Sequence, residues 1–152
     1  MVTFILISHL LGCSSPPPAQ PAAAPPTAVV APAPAPAAVV GPDGPATIDV
    51  PNVAAISTGA DDIKAGEKVF TARGCPACHK FGEKLVGPDL NGVTTRRTPM
   101  WIERQFMFPE LMTKQDPVSK GLLGTYMVQM PTQGVTTDEA PKLLAYIKSQ
   151  EK

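Results

Sequence analysis

Prolines divide this chain into two parts that cannot fold alike. Of 19 prolines in 152 residues, 12 lie between Pro16 and Pro51, mixed with alanine and valine. Proline lacks a backbone donor and fixes φ, so such a stretch enters neither a helix interior nor a central strand. Repeated Pro-Ala instead favours an extended polyproline II chain without internal hydrogen bonds. At ~3.1 Å per residue, the spacer from Pro16 to Pro45 reaches on the order of 90 Å. All 13 Lys and Arg residues fall at or after Lys64, so the folded part is the second half.

From Asp61 onward 13 basic residues stand against 11 acidic ones, an excess of 2 positive charges. That is too weak for a nucleic-acid footprint, so no nucleic-acid partner is expected. The 92 residues from 61 to 152 form a small core, near the size at which a cofactor supplies a real share of the stability.

The N-terminus reads as an export signal. Val2 to Leu11 is apolar apart from Thr3, Ser8 and His9, too short to span a bilayer but long enough for the apolar core of a signal peptide. No Lys or Arg precedes it. Leu10-Leu11-Gly12-Cys13-Ser14 is similar to a bacterial lipobox, in which a small residue precedes a cysteine that is lipidated and heads the mature chain. On this reading residues 1–12 are a lipoprotein signal peptide, and 13–57 are the lipidated Cys13 with a Pro/Ala-rich disordered tether. Residues 58–152 are the domain. The chain is then expected in the bacterial cell envelope, outside the cytoplasm, bound to a membrane through its lipid. A cysteine in a disordered tail is the plainer alternative.

The domain reads as all-α. Asp61 to Ala72 places Ile63, Gly66 and Phe70 on one face, with Gly74 ending the run. Thr98-Pro99 predicts a cap and a first helical position, continued by Trp101, Ile102, Gln105 and Phe106 until Pro109. Asp116-Pro117 repeats the signal for a helix through Val118, Leu122 and Tyr126, weakened by Gly121 and Gly124. Thr136 and Glu139 form a capping-box pattern before Leu143, Leu144 and Ile147, with Pro141 in the first turns. No strand-like alternation appears.

Cys75-Pro76-Ala77-Cys78-His79 is the pattern of c-type haem attachment. On one helical turn, residues three apart point the same way, so both thiols reach the porphyrin vinyl groups while His79 turns toward the iron. Two other readings of the motif compete. A thiol-disulfide centre needs a thioredoxin-like βαβ context. A zinc site needs four ligands, and the domain offers only these three because His9 lies in the signal segment.

A second axial ligand is sought among the methionines, most of which simply fill cores. Met130 is the candidate because Pro131 follows it and bars helix there, so a loop holds the thioether over the haem. Met127 is the rival. Gly87-Pro88-Asp89-Leu90-Asn91-Gly92 reads as turn chemistry, either an ordinary surface turn or one whose Pro88 carbonyl accepts a hydrogen bond from His79 Nδ1.

With these residues the domain resembles class I cytochromes c over about Asp61 to Lys148. The resemblance rests on the haem motif, Val86-Gly87-Pro88-Asp89-Leu90, Met130-Pro131 and the closing Leu143-Leu144-Ala145-Tyr146-Ile147. It implies a helical domain wrapped around one covalent haem c. Its first and last helices would cross at Gly66, Phe70 and Tyr146, and Pro88 would bond His79. Trp101 would lie near the haem. The stretch from Pro109 to Gln129 matches no motif of the family.

The resemblance implies a one-electron carrier and not an enzyme, since His79 and Met130 would leave no open coordination site. It would take electrons from a quinol-oxidising complex and deliver them to a terminal oxidase or reductase in an extracytoplasmic respiratory chain. Arg73, Lys80, Lys84, Arg96 and Arg97 around the motif are a candidate docking face for an acidic partner. The alternatives are an electron-entry subunit of a larger oxidoreductase, or a haem-based sensor or peroxidase if the sixth position is open.

Overall fold

A computed structural model describes residues 40–51, 53 and 55–152. The signal segment, Cys13 and the spacer up to residue 39 lie outside the described residues. Six helices follow in order: α1 Ala60–Ala72, α2 Val93–Arg96, α3 Pro99–Met107, α4 Pro109–Gln115, α5 Pro117–Tyr126 and α6 Ala140–Ser149. A single 3-10 turn, Cys75–Ala77, lies between α1 and α2. Among the described residues there is no strand, only an isolated bridge between Gly41 and Gly44, so the expected all-α class holds.

The helix starts follow their caps. Thr98 accepts from the Trp101 amide at 3.2 Å, with Pro99 at the first position of α3. Asp116 accepts from the Ser119 amide at 2.8 Å ahead of Pro117 in α5. Each satisfies a donor that the first turn leaves orphaned. At α6 the carboxylate half of the capping box forms, the Thr136 amide donating to Glu139 at 2.9 Å. Pro109 does more than end α3, because it also opens α4, where a missing N–H costs little.

α1 and α6 cross at contact distance, and Gly66 is what permits it. A Cβ there would lie 2.0 Å from the Lys142 carbonyl oxygen and 2.7 Å from Tyr146 Cβ. The rings of Phe70 and Tyr146 meet one turn away at 5.2 Å, and Phe81 joins both. Leu143, Leu144 and Ile147 from α6 and Ile102 and Phe106 from α3 complete the core.

Residues 40–51, which composition assigns to the spacer, pack on the domain. Ile48 is 3% exposed, a burial that stabilises by about 2 kcal/mol. The guanidinium of Arg104 donates to the carbonyls of Ile48 at 2.7 Å and Asp43 at 2.6 Å. One apolar side chain and a satisfied buried cation thus hold a segment whose prolines give it no structure of its own.

Candidate functional site

The loop after α1 is built to place one histidine. Cys75, Cys78 and His79 sit at a 3-10 turn closed by Cys78 N donating to Cys75 O at 3.2 Å, and His79 N donates to the same carbonyl at 3.0 Å. The chain then folds back, with Gly87 N donating to Cys78 O at 2.8 Å and Leu90 N to Lys80 O at 3.0 Å. Asp89 braces the return by accepting from the amides of Gly82 at 2.7 Å and Asn91 at 2.8 Å. These amide bonds, that of Asn91 foremost, hold its carboxyl below the ordinary range.

His79 Nδ1 lies 2.9 Å from the Pro88 carbonyl oxygen. A carbonyl only accepts, so Nδ1 carries the proton and Nε2 is left as a free lone pair. Gly87 presses on the same ring: a Cβ there would lie 2.5 Å from His79 Cε1. The imidazole is therefore fixed in tautomer and in place.

His79 opens on a cleft of ≈ 490 Å³, within the ~300–1,000 Å³ usual for cofactor sites. Cys75, Cys78, Trp101, Phe106, Leu122 and Met130 are among its lining residues. The structure thus brings the haem-motif residues, Pro88 and Met130 together. Met127 is not in the lining and is 81% exposed, in a left-handed conformation at the end of α5.

The lining fits a haem. It is largely apolar, as a porphyrin requires, and it includes two cations, Arg96 and Arg97, for the acidic substituents of the ring. Trp101 in its wall has a buried Nε1–H with no acceptor among the described residues. A buried donor left unpaired costs about 1–3 kcal/mol, so an acceptor from a bound group fits there. The competing chemistries do not fit. Burial, the largest influence, raises the Cys75 thiol above its ordinary value, whereas a thiol-disulfide centre needs a lowered one. Among the described residues no three His, Cys, Asp or Glu side chains gather as a metal cage.

A family model for cytochrome c matches residues 63–151. The chain belongs to the cytochrome c family. Its domain accordingly carries haem c covalently and functions in electron transfer. A cytochrome c from Rhodothermus marinus is 29% identical with a TM-score of 0.62, over 71% of this chain and 90% of that one. An engineered form of the Rhodothermus marinus protein gives 28% and 0.61, over 72% and 97%. A cytochrome c domain from Pseudomonas putida gives 30% and 0.50, over 56% and 86%. Comparison with curated proteins returns no significant match.

The cations expected to form a docking face of this cytochrome are mostly engaged locally. Arg73 makes two bonds to Glu139, at 2.9 and 2.6 Å, and Lys80 pairs with Glu83 at 3.0 Å. Lys84 lies over the Tyr126 ring at 4.6 Å, and Arg97 over Trp101 at 5.3 Å. Sequence reasoning missed two features near the cleft, the packed residues 43–48 and the adjacent Glu103 and Arg104 in mid-helix. Both charged side chains are buried, Glu103 without any exposed surface.

Proposed function

We propose that this cytochrome is a membrane-tethered one-electron carrier outside the cytoplasm, with haem held by Cys75 and Cys78 and iron held by His79 and Met130. When bound, haem supplies a single-electron couple at iron. The chain supplies the rest. Cys75 and Cys78 would hold the ring as thioethers, each S–H adding across a vinyl C=C with no leaving group. His79 donates Nδ1–H to Pro88 and offers Nε2 to the metal, a bond that makes the imidazole a stronger ligand. Met130 would supply a soft thioether to the iron, a ligand that favours the reduced state and raises the reduction potential.

The observation that carries this reading is the 2.9 Å contact of His79 Nδ1 with Pro88 O in a cleft that Met130 also lines. With both axial positions filled by protein, a substrate has nowhere to bind iron, so outer-sphere transfer remains. The lipid anchor at Cys13 rests on the lipobox pattern. Among the described residues no helix is long and apolar enough to cross a membrane. Its partners would be a quinol-oxidising complex and a terminal oxidase or reductase.

The test is the visible and near-infrared spectrum of the full chain, made in a host that matures cytochromes c. Haem is expected to stay with the polypeptide on extraction. The methionine-to-iron band should vanish, and carbon monoxide bind the reduced protein, in Met130→Ala and not in Met127→Ala. Carbon monoxide binding to the unsubstituted protein would instead indicate a sensor or peroxidase. Cys13→Ser should release the protein from the membrane fraction.

A further inference from the structure

Trp101 in the wall of the haem cleft is backed by a segment that lies outside the residues matched to the family. The family match begins at residue 63, whereas the segment packed on α3 runs through residues 41–50. At its centre Gly44 adopts φ +83°, and an added Cβ would sit 3.3 Å from Trp101 Cδ1 and 3.3 Å from Met112 Cε. The segment therefore touches the indole directly. Trp101 is thus contacted by the segment and by the Arg97 guanidinium, 5.3 Å from its ring centroid, and it lines the cleft.

Arg104 fastens this arrangement. It is only 8% exposed, and no carboxylate pairs with it among the described residues. Its Nε donates to Ile48 O at 2.7 Å, and Nη1 donates to Asp43 O at 2.6 Å and Gly44 O at 3.4 Å. A planar fork can reach carbonyls five residues apart, and a lysine ammonium cannot do so in the same way. A buried guanidinium satisfied only by main-chain carbonyls of one segment has the chemistry of a clamp.

We propose that Arg104 is a positioning residue for the haem cleft. By holding residues 43–48 against α3, it fixes Trp101 in the cleft wall and keeps water from entering behind the indole. Opening that wall raises the local dielectric, which favours the more highly charged oxidised haem and lowers the reduction potential. The inference uses the haem c of the family and is independent of which methionine is the sixth ligand.

The experiment uses full-length haem-loaded protein carrying Arg104→Met, Arg104→Lys or Gly44→Ala. Trp101 is the chain's single tryptophan, so its emission, quenched by a neighbouring haem, reports its position alone. Amide exchange at Ile48, which donates to Pro45 O at 3.1 Å, reports the segment. Arg104→Met is expected to lose protection at Ile48, gain Trp101 emission and shift the potential downward, with Arg104→Lys in between. Gly44→Ala should move emission and potential in the same directions from the segment's side.

Loss of Ile48 protection with unchanged emission and potential would overturn the proposal, leaving Arg104 a mere fastener. If Arg104→Met does not accumulate with haem, unchanged emission and potential in Gly44→Ala overturn it. Failure of the unsubstituted protein to bind haem would overturn the haem reading as well, whereas unchanged haem-loaded variants overturn this inference alone.

Discussion

Replacing Glu103 by glutamine should stabilise this cytochrome, and only at the upper end of the pH range. Glu103 sits in α3 with no exposed surface, and neither carboxylate oxygen has a hydrogen-bond partner among the described residues. Loss of hydration penalises the charged form and raises its pKa from 4.5 to about 7. Between those values the folded chain keeps a proton that the unfolded chain has released. Stability therefore falls as pH rises through this window, and stops falling above it. The gap between 4.5 and about 7, at ~1.36 kcal/mol per pH unit, integrates to about 3 kcal/mol.

Glu103→Gln keeps the shape and has no proton to lose. Urea unfolding of both haem-loaded proteins, from about pH 4 to about pH 8, checks the expectation through the difference between the two stabilities. Other titrating groups are common to both proteins and cancel when distant from the site. The difference should be nearly constant at the acid end, grow through the window in favour of the glutamine variant, and level off above about pH 7. Parallel curves would refute the reasoning, because they would mean that water or another group already solvates the carboxylate.

Gly66→Ala puts a methyl group 2.0 Å from the Lys142 carbonyl and should cost about 3 kcal/mol in urea unfolding by forcing α1 from α6. A loss below about 0.5 kcal/mol would mean that the crossing adjusts freely. Asp116→Ala removes the cap accepted from Ser119 N at 2.8 Å and should cost about 1 kcal/mol, with α5 amides exchanging faster. Gly87→Ala drives a Cβ to 2.5 Å from His79 Cε1; proton NMR of the oxidised haem-loaded protein should show displaced His79 ring resonances, and unchanged resonances would sink that assignment. Arg73→Gln breaks a pair that is only about one-third exposed at each side chain and should cost less than about 1 kcal/mol, shrinking further in high salt.

What the sequence made legible was local. The cap-and-proline pairs at Thr98-Pro99 and Asp116-Pro117 specify helix starts through one side-chain bond each, so they needed no knowledge of the rest of the fold. The Cys75-to-His79 motif and the face formed by Gly66 and Phe70 were readable for the same reason. α4 was not, because Pro109 signals a stop and a start with the same residue. The packed segment was hidden by its composition: Pro42, Pro45, Gly41 and Gly44 read as spacer, and a lone Ile48 has no periodicity. Glu103 and Arg104 lie on the side of α3 away from Trp101, Ile102, Gln105 and Phe106. Such a side reads as solvated until something is known to cover it, and for Arg104 the cover comes from a part of the chain that its composition assigns to the spacer.

The helices also differ in what their apolar residues are for. α6 buries Leu143, Leu144, Ala145 and Ile147, of which Leu143 and Ile147 also line the cleft, so most of its apolar face has protein to pack on. α5 fully buries only Ser119; its Val118 and Leu122 are partly buried against the core, and with Leu123 and Tyr126 they line the cleft. A short helix is marginal in water without an apolar face to pack, and two glycines, Gly121 and Gly124, lower the propensity of α5 further. Its missing packing partner is the haem. α5, and the loop that brings Met130 to the cleft, should therefore gain more order on haem binding than the α1 and α6 crossing, which Gly66 already brings into contact.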